Sequence, residues 1–240
     1  MGQKEAYARE IALLGEDRFA RLRASHVAVF GIGGVGSYAA EALVRAGIGA
    51  VTLVDGDVVA ESNLNRQLVA LHSTLGKNKA EVMAARARDI DPECRVTAWP
   101  CFYRAGEGPV DLSAFACIAD CIDSVTDKVA LLAQARRAGV SAVSCMGAGN
   151  RLAADFRADD IEKTSGCPLA RIVRRELKRL NVTGVRAVYS PSAPLVPARG
   201  GFSEGERAIG SISFVPSAAG LLVASEVVRL LLEREAGAQR

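Results

Sequence analysis

Short apolar runs alternate with amphipathic segments over the first 149 residues. Five runs bounded by turn residues predict β-strands at residues 26–30, 50–55, 95–99, 115–123 and 140–145. Helical spacing of apolar positions predicts α-helices at residues 37–47, 77–90 and 125–139. Strands that alternate with helices in this way are typical of an α/β fold with a doubly wound, Rossmann-like and mostly parallel sheet.

The pattern is less regular after residue 149. It predicts strands at residues 151–156, 184–190 and 210–215, and helices at residues 167–180 and from Ala218 onward. The apolar stripe of the first of these helices comprises Leu169, Ile172, Val173, Leu177 and Leu180. The Pro- and Gly-rich residues 190–206 predict a long mobile loop. No linker interrupts the chain, so we expect one domain over residues 1–240, with the later strands and helices continuing the same fold.

Composition and charge limit the class of protein. Of the 240 residues, 50% are hydrophobic and 24% are charged, as in ordinary soluble proteins, and the formal net charge is only +3. The first residues form no apolar leader, so we expect a cytoplasmic protein. Ser, Glu and Arg residues interrupt the apolar run 209–232, which favours a strand and a buried helix over a membrane span.

The six cysteines and two histidines do not predict a metal centre. No C-x-x-C pair occurs, and reduced, mostly buried thiols are the default in a chain without a secretion signal. We therefore expect no zinc.

The stretch VFGIGGVG lies between the first predicted strand and the first predicted helix. Gly31, Gly33 and Gly36 fit G-x-G-x-x-G, which permits a tight turn and brings phosphate groups to the N–H groups that begin the helix. Asp55 ends the next strand, where an acid binds ribose hydroxyls in such folds. This context predicts a nucleotide-binding site.

Further polar side chains follow the strand ends, and a nicotinamide dinucleotide does not require them. They are Asp57, Asn63, Asn65, Arg66, Lys79 and Asp123. Arg and Lys neutralise phosphate oxygens, and an Asp carboxylate is a hard oxygen ligand for Mg²⁺. Because ligands bind at the carboxyl edge of such sheets, the set predicts ATP with Mg²⁺ rather than NAD.

The ordered motifs GIGGVGSYAAEALVRAGIG, TLVDGDVV, SNLNRQ, GKNKAEV and DCIDSV resemble the adenylating core of the ubiquitin-activating-enzyme-like superfamily. Members of this superfamily use ATP to convert a carboxylate into an acyl-adenylate and pyrophosphate. The motifs cover about residues 6–149. The resemblance implies a nucleotide-binding core at 1–149 and a half at 150–240 that binds substrate and forms a homodimer.

The resemblance also implies a role for each matching residue. The nucleotide would be bound by Gly31, Gly33, Gly34, Gly36, Asp55, Asp57, Asn63, Arg66, Lys79 and Asp123. Among these, Arg66 and Lys79 would be catalytic cations on the phosphates, and Asp123 would be the catalytic carboxylate that holds Mg²⁺. The segment ARE resembles the superfamily's N-terminal arm, so Arg9 would act as an arginine finger in the site of the partner subunit.

Residues 160–180 and 210–228 resemble the branch of this superfamily that dehydrates threonylcarbamoyladenosine in tRNA. This implies ATP-dependent cyclisation of N6-threonylcarbamoyladenosine at tRNA position 37 through an adenylate of its carboxylate. The lack of zinc-binding C-x-x-C pairs and of any cysteine after Cys167 agrees with this branch. Whether a sulfur-relay protein assists is left open.

A basic stretch in the predicted helix 167–180 is the expected tRNA-binding surface. Its members are Arg171, Arg174, Arg175, Lys178 and Arg179. Such cations bind backbone phosphates, and the alternative is an ordinary solvated helix face.

Two other functions fit the same core. An adenylyltransferase that activates the C-terminal glycine of a ubiquitin-like sulfur carrier would need a small protein partner and no RNA. A non-catalytic dinucleotide sensor would bind NAD(H) and would be indifferent to changes at Asp123.

Overall fold

The strands and helices follow the order that the hydrophobic pattern predicts. A computed structural model describes residues 3–106, 111–196 and 209–233. The strands are β1 His26–Phe30, β2 Ala50–Val54, β3 Arg95–Trp99, β4 Cys117–Asp120, β5 Ser141–Cys145, β6 Arg157–Asp160 and β7 Arg186–Tyr189. The α-helices are α1 Gln3–Ala6, α2 Ala8–Leu14, α3 Glu16–Ala24, α4 Gly36–Arg45, α5 Lys79–Ile90, α6 Val125–Arg137, α7 Pro168–Arg179 and α8 Phe214–Glu233.

All seven strands form one sheet in the order β3-β2-β1-β4-β5-β7-β6. Every neighbouring pair is parallel except β6 and β7, which are antiparallel. The order reverses between β1 and β4, and the carboxyl ends of these strands therefore border the crevice where doubly wound sheets bind ligands. The predicted Rossmann-like α/β class is confirmed, and the second half of the chain extends the same sheet.

Helices cover both faces of the sheet, which explains why β1 is apolar at every position after His26. Val27 and Val29 pack on the side of α4, α5 and α8. Ala28 and Phe30 face the opposite side, in a cluster with residues of α6. A strand buried on both faces reads as a continuous apolar run rather than an alternating one.

Two predicted strands in the second half are wrong. Residues 151–156 form no strand, and β6 begins only at Arg157. Residues 210–215 also form no strand, because Gly210 bonds to the single residue Asn150 rather than to a strand, and α8 already begins at Phe214 instead of Ala218. Residues 190–196 are irregular, as predicted, while residues 197–206 of the predicted mobile loop lie outside the described residues.

The apolar stripe predicted for α7 is partly wrong. Val173 and Leu177 are buried, and Ala170 is buried beside them. Ile172 and Leu180 are exposed, since α7 buries only one narrow face and Leu180 follows its last turn.

Helix α8 is the most apolar helix that the structure describes. Its length and composition would suffice to cross a membrane, but half of the apolar window is buried inside the protein. It packs on α4, where a Cβ on Gly220 would lie 2.3 Å from the carbonyl oxygen of Val35. This close approach shows that α8 is a core helix on the face of the sheet that α4 and α5 also cover.

Candidate active site

A cavity of about 1000 Å³ opens at the carboxyl edge of the sheet. Its walls come from the ends of β1, β2, β4 and β5 and from segments of the second half, including Leu169 and Ile209. The cavity therefore combines the predicted nucleotide-binding core with the predicted substrate-binding half.

The glycine turn after β1 forms one wall of this cavity. Gly31 has φ +85°, and a Cβ there would lie 2.7 Å from the carbonyl oxygen of Cys121. A Cβ on Gly36 would lie 1.7 Å from the carbonyl oxygen of Gly31, so these two glycines are required by the turn itself. Gly33 differs, because its nearest neighbour would be Gln67 Nε2 at 3.8 Å. The space beside Gly33 is open to a ligand.

Asp55 lies directly after β2 and is held by the backbone. Its Oδ2 accepts a hydrogen bond from Ile32 N (2.6 Å), and its Oδ1 accepts one from Asp57 N (2.8 Å). Burial raises the pKa of Asp55, although both hydrogen bonds oppose that effect. Each carboxylate oxygen accepts more than one hydrogen bond, which leaves capacity for ribose hydroxyls.

Lys79 is the first residue of α5 and is only 5% exposed. The side chain of Asn78 caps the helix by accepting hydrogen bonds from Ala80 N and Glu81 N. The Lys79 ammonium lies 2.9 Å from Asp57 Oδ2, and both residues line the cavity. A buried ammonium aimed into a cavity with one carboxylate partner is suited to a polyanionic ligand.

The NLNRQ segment supplies three side chains to the cavity wall, namely Asn63, Arg66 and Gln67. The guanidinium of Arg66 is oriented by the carbonyl oxygen of Ser62 (2.8 Å) and by Asn65 Oδ1 (2.9 Å).

The side chains of Asn63 and Asn65 form hydrogen bonds within the protein. Asn63 is buried, and its Oδ1 accepts a hydrogen bond from Ala60 N (3.2 Å), so part of its role is structural. The expectation that the Asn65 amide faces the phosphates is wrong. Asn65 is not part of the cavity lining, because its amide joins Arg66 to the carbonyl oxygen of Ser211 (3.1 Å).

Gln67 was not predicted as a site residue. Its side chain is 8% exposed, and Oε1 has no hydrogen-bond partner among the described residues. A buried amide without a partner is unfavourable, and it lies beside the open position at Gly33. This orphaned group fits a polar ligand at the glycine turn. Its place directly after Arg66 is the only signal in the sequence that pointed to it.

Asp123 lies on the loop between β4 and α6, past the end of the strand that was predicted to include it. Its carboxylate is exposed and lines the cavity. The described residues contain no group of three or more His, Cys, Asp or Glu side chains that would hold a metal ion alone. A single carboxylate still suits Mg²⁺, which is commonly bound by one or two carboxylates together with substrate phosphates.

A second wall of the cavity comes from the segment after β3, which the sequence did not predict to be part of the site. The ring of Phe102 packs so closely on Gly56 that a Cβ there would lie 2.6 Å from it. The guanidinium of Arg104 stacks on Phe102 at 4.5 Å and pairs with Asp127 at 3.3 Å. An exposed aromatic ring beside the acid after β2 offers an apolar surface to a nucleobase.

Two cysteine side chains in the cavity wall, Cys121 and Cys145, are poor nucleophiles. Burial raises the pKa of the Cys121 thiol and raises that of Cys145 to about 12. Because the thiolate is the reactive form, these residues are expected to stay as inert thiols.

Arg9 is not brought to the cavity of its own chain. It is exposed on α2, and Tyr7 beside it donates a hydrogen bond to Asp91 Oδ2 (2.9 Å). Asp91 directly follows α5, at the opposite edge of the sheet. A role for Arg9 in the site of a partner subunit stays a prediction.

The basic residues of α7 divide into three groups. Arg174 is half-buried and donates to the carbonyl oxygen (2.6 Å) and Oγ1 (2.9 Å) of Thr164. Arg175 and Arg179 both pair with Glu176. Arg171 and Lys178 are exposed and form no ion pair within the part of the chain that the structure describes. Only some of the predicted tRNA-binding cations are therefore free to meet a phosphate.

Comparison with known proteins gives a consistent result. The model of the ThiF family matches residues 7–240. The chain is 38% identical over 241 residues to the tRNA threonylcarbamoyladenosine dehydratase of Bacillus subtilis, with 95% of this chain and 94% of that protein covered. The protein of the same name from Escherichia coli is 41% identical over 199 residues, with 79% of this chain and 74% of that protein covered.

A solved structure extends this similarity to three dimensions. The E. coli tRNA N6-threonylcarbamoyladenosine dehydratase, crystallised in complex with ATP, matches with a TM-score of 0.85 at 35% identity. The match covers 97% of this chain and 96% of that one.

Proposed function

The chain belongs to the ThiF family, and we infer that it is an ATP-dependent tRNA threonylcarbamoyladenosine dehydratase. The observation that carries the inference is one cavity in which the glycine turn, Asp55, Arg66, Lys79 and Asp123 meet a wall from the second half of the chain. The similarity to dehydratases over almost the full length supports the same substrate.

The reaction removes one molecule of water from the modified nucleoside. A threonyl carboxylate oxygen attacks the α-phosphorus of ATP, the bond between the α- and β-phosphates breaks, and pyrophosphate leaves. A carbamoyl nitrogen or oxygen of the same nucleoside then attacks the acyl carbon, closes a ring and expels AMP with loss of a proton. The oxygen that the nucleoside loses leaves in AMP.

The residues of the cavity bind and polarise rather than react covalently. Asp55 orients the ribose, and the glycine turn lets the phosphates reach the start of α4. Arg66 and Lys79 offset the negative charge that builds up as pyrophosphate leaves. Asp123 would hold Mg²⁺, which supplies further charge neutralisation on the phosphates when bound. No thiol nucleophile is needed, in agreement with the raised pKa values of Cys121 and Cys145.

The tRNA would be bound by the exposed side of α7. Arg171 and Lys178 are free to contact phosphates, while Arg175 and Arg179 would exchange Glu176 for RNA. Arg174 has a different role, since its bonds to Thr164 hold the segment that precedes α7.

We propose that the protein is cytoplasmic and forms a homodimer. Arg9 can act as an arginine finger in the site of a partner subunit only if two chains associate. Phe214 and Leu221 on α8 are 48% and 54% exposed and lie two turns apart on one helix face. Exposed apolar side chains on a core helix are suited to contact with a second copy of the chain. A sulfur-relay partner stays a prediction without a contact surface assigned to it.

The test is the release of AMP and pyrophosphate from ATP by the purified protein. Parallel reactions contain tRNA with threonylcarbamoyladenosine, the same tRNA without the modification, no RNA, or a ubiquitin-like carrier protein ending in glycine. We expect release only with the modified tRNA. Release that needs the carrier and ignores RNA would instead support the adenylyltransferase, and NAD(H) binding without any release would support the dinucleotide sensor.

A further inference from the structure

A fully buried ion pair lies next to the loop that carries Asp123. Lys128 Nζ is 2.7 Å from Asp120 Oδ2, and neither side chain has any exposed surface. Lys128 belongs to α6, and Asp120 is the last residue of β4. Neither residue lines the cavity, so neither is placed to contact the nucleotide.

The pair joins the ends of two adjacent strands. Lys128 Nζ also donates to the carbonyl oxygen of Cys145 (2.9 Å) and to Ser144 Oγ (3.3 Å). Ser144 Oγ donates to Asp120 Oδ2 (2.6 Å), and the two residues are register neighbours in β4 and β5. Asp120 Oδ1 accepts from Ile122 N (3.1 Å). One ammonium and one carboxylate thus determine how the chain leaves both strands.

Both exits lead directly into the cavity wall. Ile122 and Asp123 line it after β4, and Met146 and Gly147 line it after β5. The first exit is the proposed Mg²⁺-binding loop, and the second begins the wall that the later half of the chain supplies. In the proposed reaction, their separation would set the width of the cavity between the Mg²⁺-binding loop and the wall from the second half.

Stability alone does not explain the pair. Removing two charges from water is costly, and replacing a buried ion pair by uncharged side chains of similar volume is often neutral or stabilising. Its hydrogen bonds fix direction and distance in a way that apolar contacts do not. Accurate placement matters in an adenylation site, because a displacement of about 1 Å can lower a rate by about 10²-fold.

We propose that Lys128 and Asp120 are positioning residues for adenylation. They hold the loop of Asp123 and the turn after β5 at a fixed separation across the cavity. This inference rests on the proposed function, because the step that it serves is the attack of the carboxylate on ATP.

The test is the double variant Asp120→Asn/Lys128→Met, which removes both charges and keeps both side-chain volumes. We expect a melting temperature close to that of the wild type, because no charge is left unpaired. The kcat for pyrophosphate release should fall by about tenfold or more. The Kd for ATP should change by less than about threefold, because the glycine turn and Asp55 are untouched.

A matched control removes an ion pair at the opposite edge of the sheet. Arg186 Nε lies 2.6 Å from Glu226 Oε2, and neither residue lines the cavity at the carboxyl edge. We expect Arg186→Met/Glu226→Gln to keep the kcat and the Kd for ATP.

Amide hydrogen exchange gives a readout that does not depend on activity. Residues 121–124 and 146–150 should exchange faster in the Asp120→Asn/Lys128→Met variant and should be unchanged in the control. If the wild type releases no pyrophosphate with any substrate, the proposed function fails and the role in adenylation fails with it, while hydrogen exchange still shows whether the pair holds the two segments in place.

Two results would overturn the inference. One is a folded double variant with the kcat and the exchange rates of the wild type. The other is a parallel loss of kcat, ATP affinity and melting temperature, which would indicate a general stability role. If the double variant does not fold, Ser144→Ala replaces it, since only the hydroxyl that joins Asp120 is lost. A several-fold lower kcat is expected there, and an unchanged kcat would contradict the proposal.

Discussion

Gly33→Ala separates the ligand-binding role of the glycine turn from its structural role. A Cβ at Gly33 would be 3.8 Å from Gln67 Nε2, which is an ordinary contact distance, and its backbone is outside the left-handed region. The alanine therefore fits the protein without strain. Its methyl group occupies the open space beside the turn, where phosphate would approach the backbone N–H groups.

The size of the effect follows from the contact that is lost. A hydrogen bond to a charged group contributes about 1.5–3 kcal/mol. Losing one such bond corresponds to a Kd for ATP about 10- to 150-fold higher. Gly36→Ala is the contrasting variant, because its Cβ would lie 1.7 Å from the carbonyl oxygen of Gly31. We expect that variant to lose the native fold rather than ATP affinity alone.

Calorimetric titration with ATP and Mg²⁺ measures the Kd, and thermal unfolding followed by circular dichroism measures stability. We expect Gly33→Ala to melt near the wild-type temperature and to bind ATP weakly. Wild-type ATP affinity in a folded Gly33→Ala variant would refute the assignment of phosphate to this turn. Loss of the fold would refute the claim that the space beside Gly33 is empty of protein.

Three further predictions test other parts of the site. Asp123→Asn should keep the melting temperature of the wild type, because the carboxylate is exposed. It should lower the kcat for pyrophosphate release about 10²-fold or more, and a small change in kcat would exclude Asp123 from the chemistry. Burial raises the pKa of Asp55, so its carboxylate should be protonated, and ATP binding should weaken, at a pH above the usual aspartate pKa of about 3.9. The Asp55→Asn variant should bind ATP weakly, and its affinity should not change over that pH range. The charge reversals Arg171→Glu and Lys178→Glu should weaken tRNA binding. They should also lower the steepness of the plot of log binding constant against log salt concentration by about one per lost phosphate contact. An unchanged slope would assign these residues to a solvated helix face.

The nucleotide half of the site could be predicted from the sequence because local signals determine it. A buried strand, a glycine turn and a helix start follow one another at residues 26–45, and parallel strands place the residues after their ends at one edge. Asp55 and Asp123 follow from that rule, and Lys79 follows from the predicted start of the next helix. The exact end of β4 did not follow, because the apolar pattern continues past Asp120 into the loop.

The second half could not be predicted equally well, because its backbone partners are distant in sequence. Asn150 donates to the carbonyl oxygen of Gly210 (2.7 Å), and its side chain accepts from Gly210 N (2.6 Å). These bonds replace the strand that residues 210–215 predict. The Lys128–Asp120 pair was equally invisible, because a Lys on a predicted helix is normally solvated. Side-chain burial that depends on tertiary contacts leaves no local periodicity.

The mass of the modified nucleoside tests the central claim most directly. Modified tRNA is incubated with the protein, ATP and Mg²⁺, digested to nucleosides under mild conditions and measured by mass spectrometry, with Asp123→Asn and ATP-free reactions as controls. We predict that threonylcarbamoyladenosine loses the mass of one water only in the complete wild-type reaction. An unchanged nucleoside mass, in a reaction where the protein binds ATP, would contradict the assignment of this chain as a dehydratase.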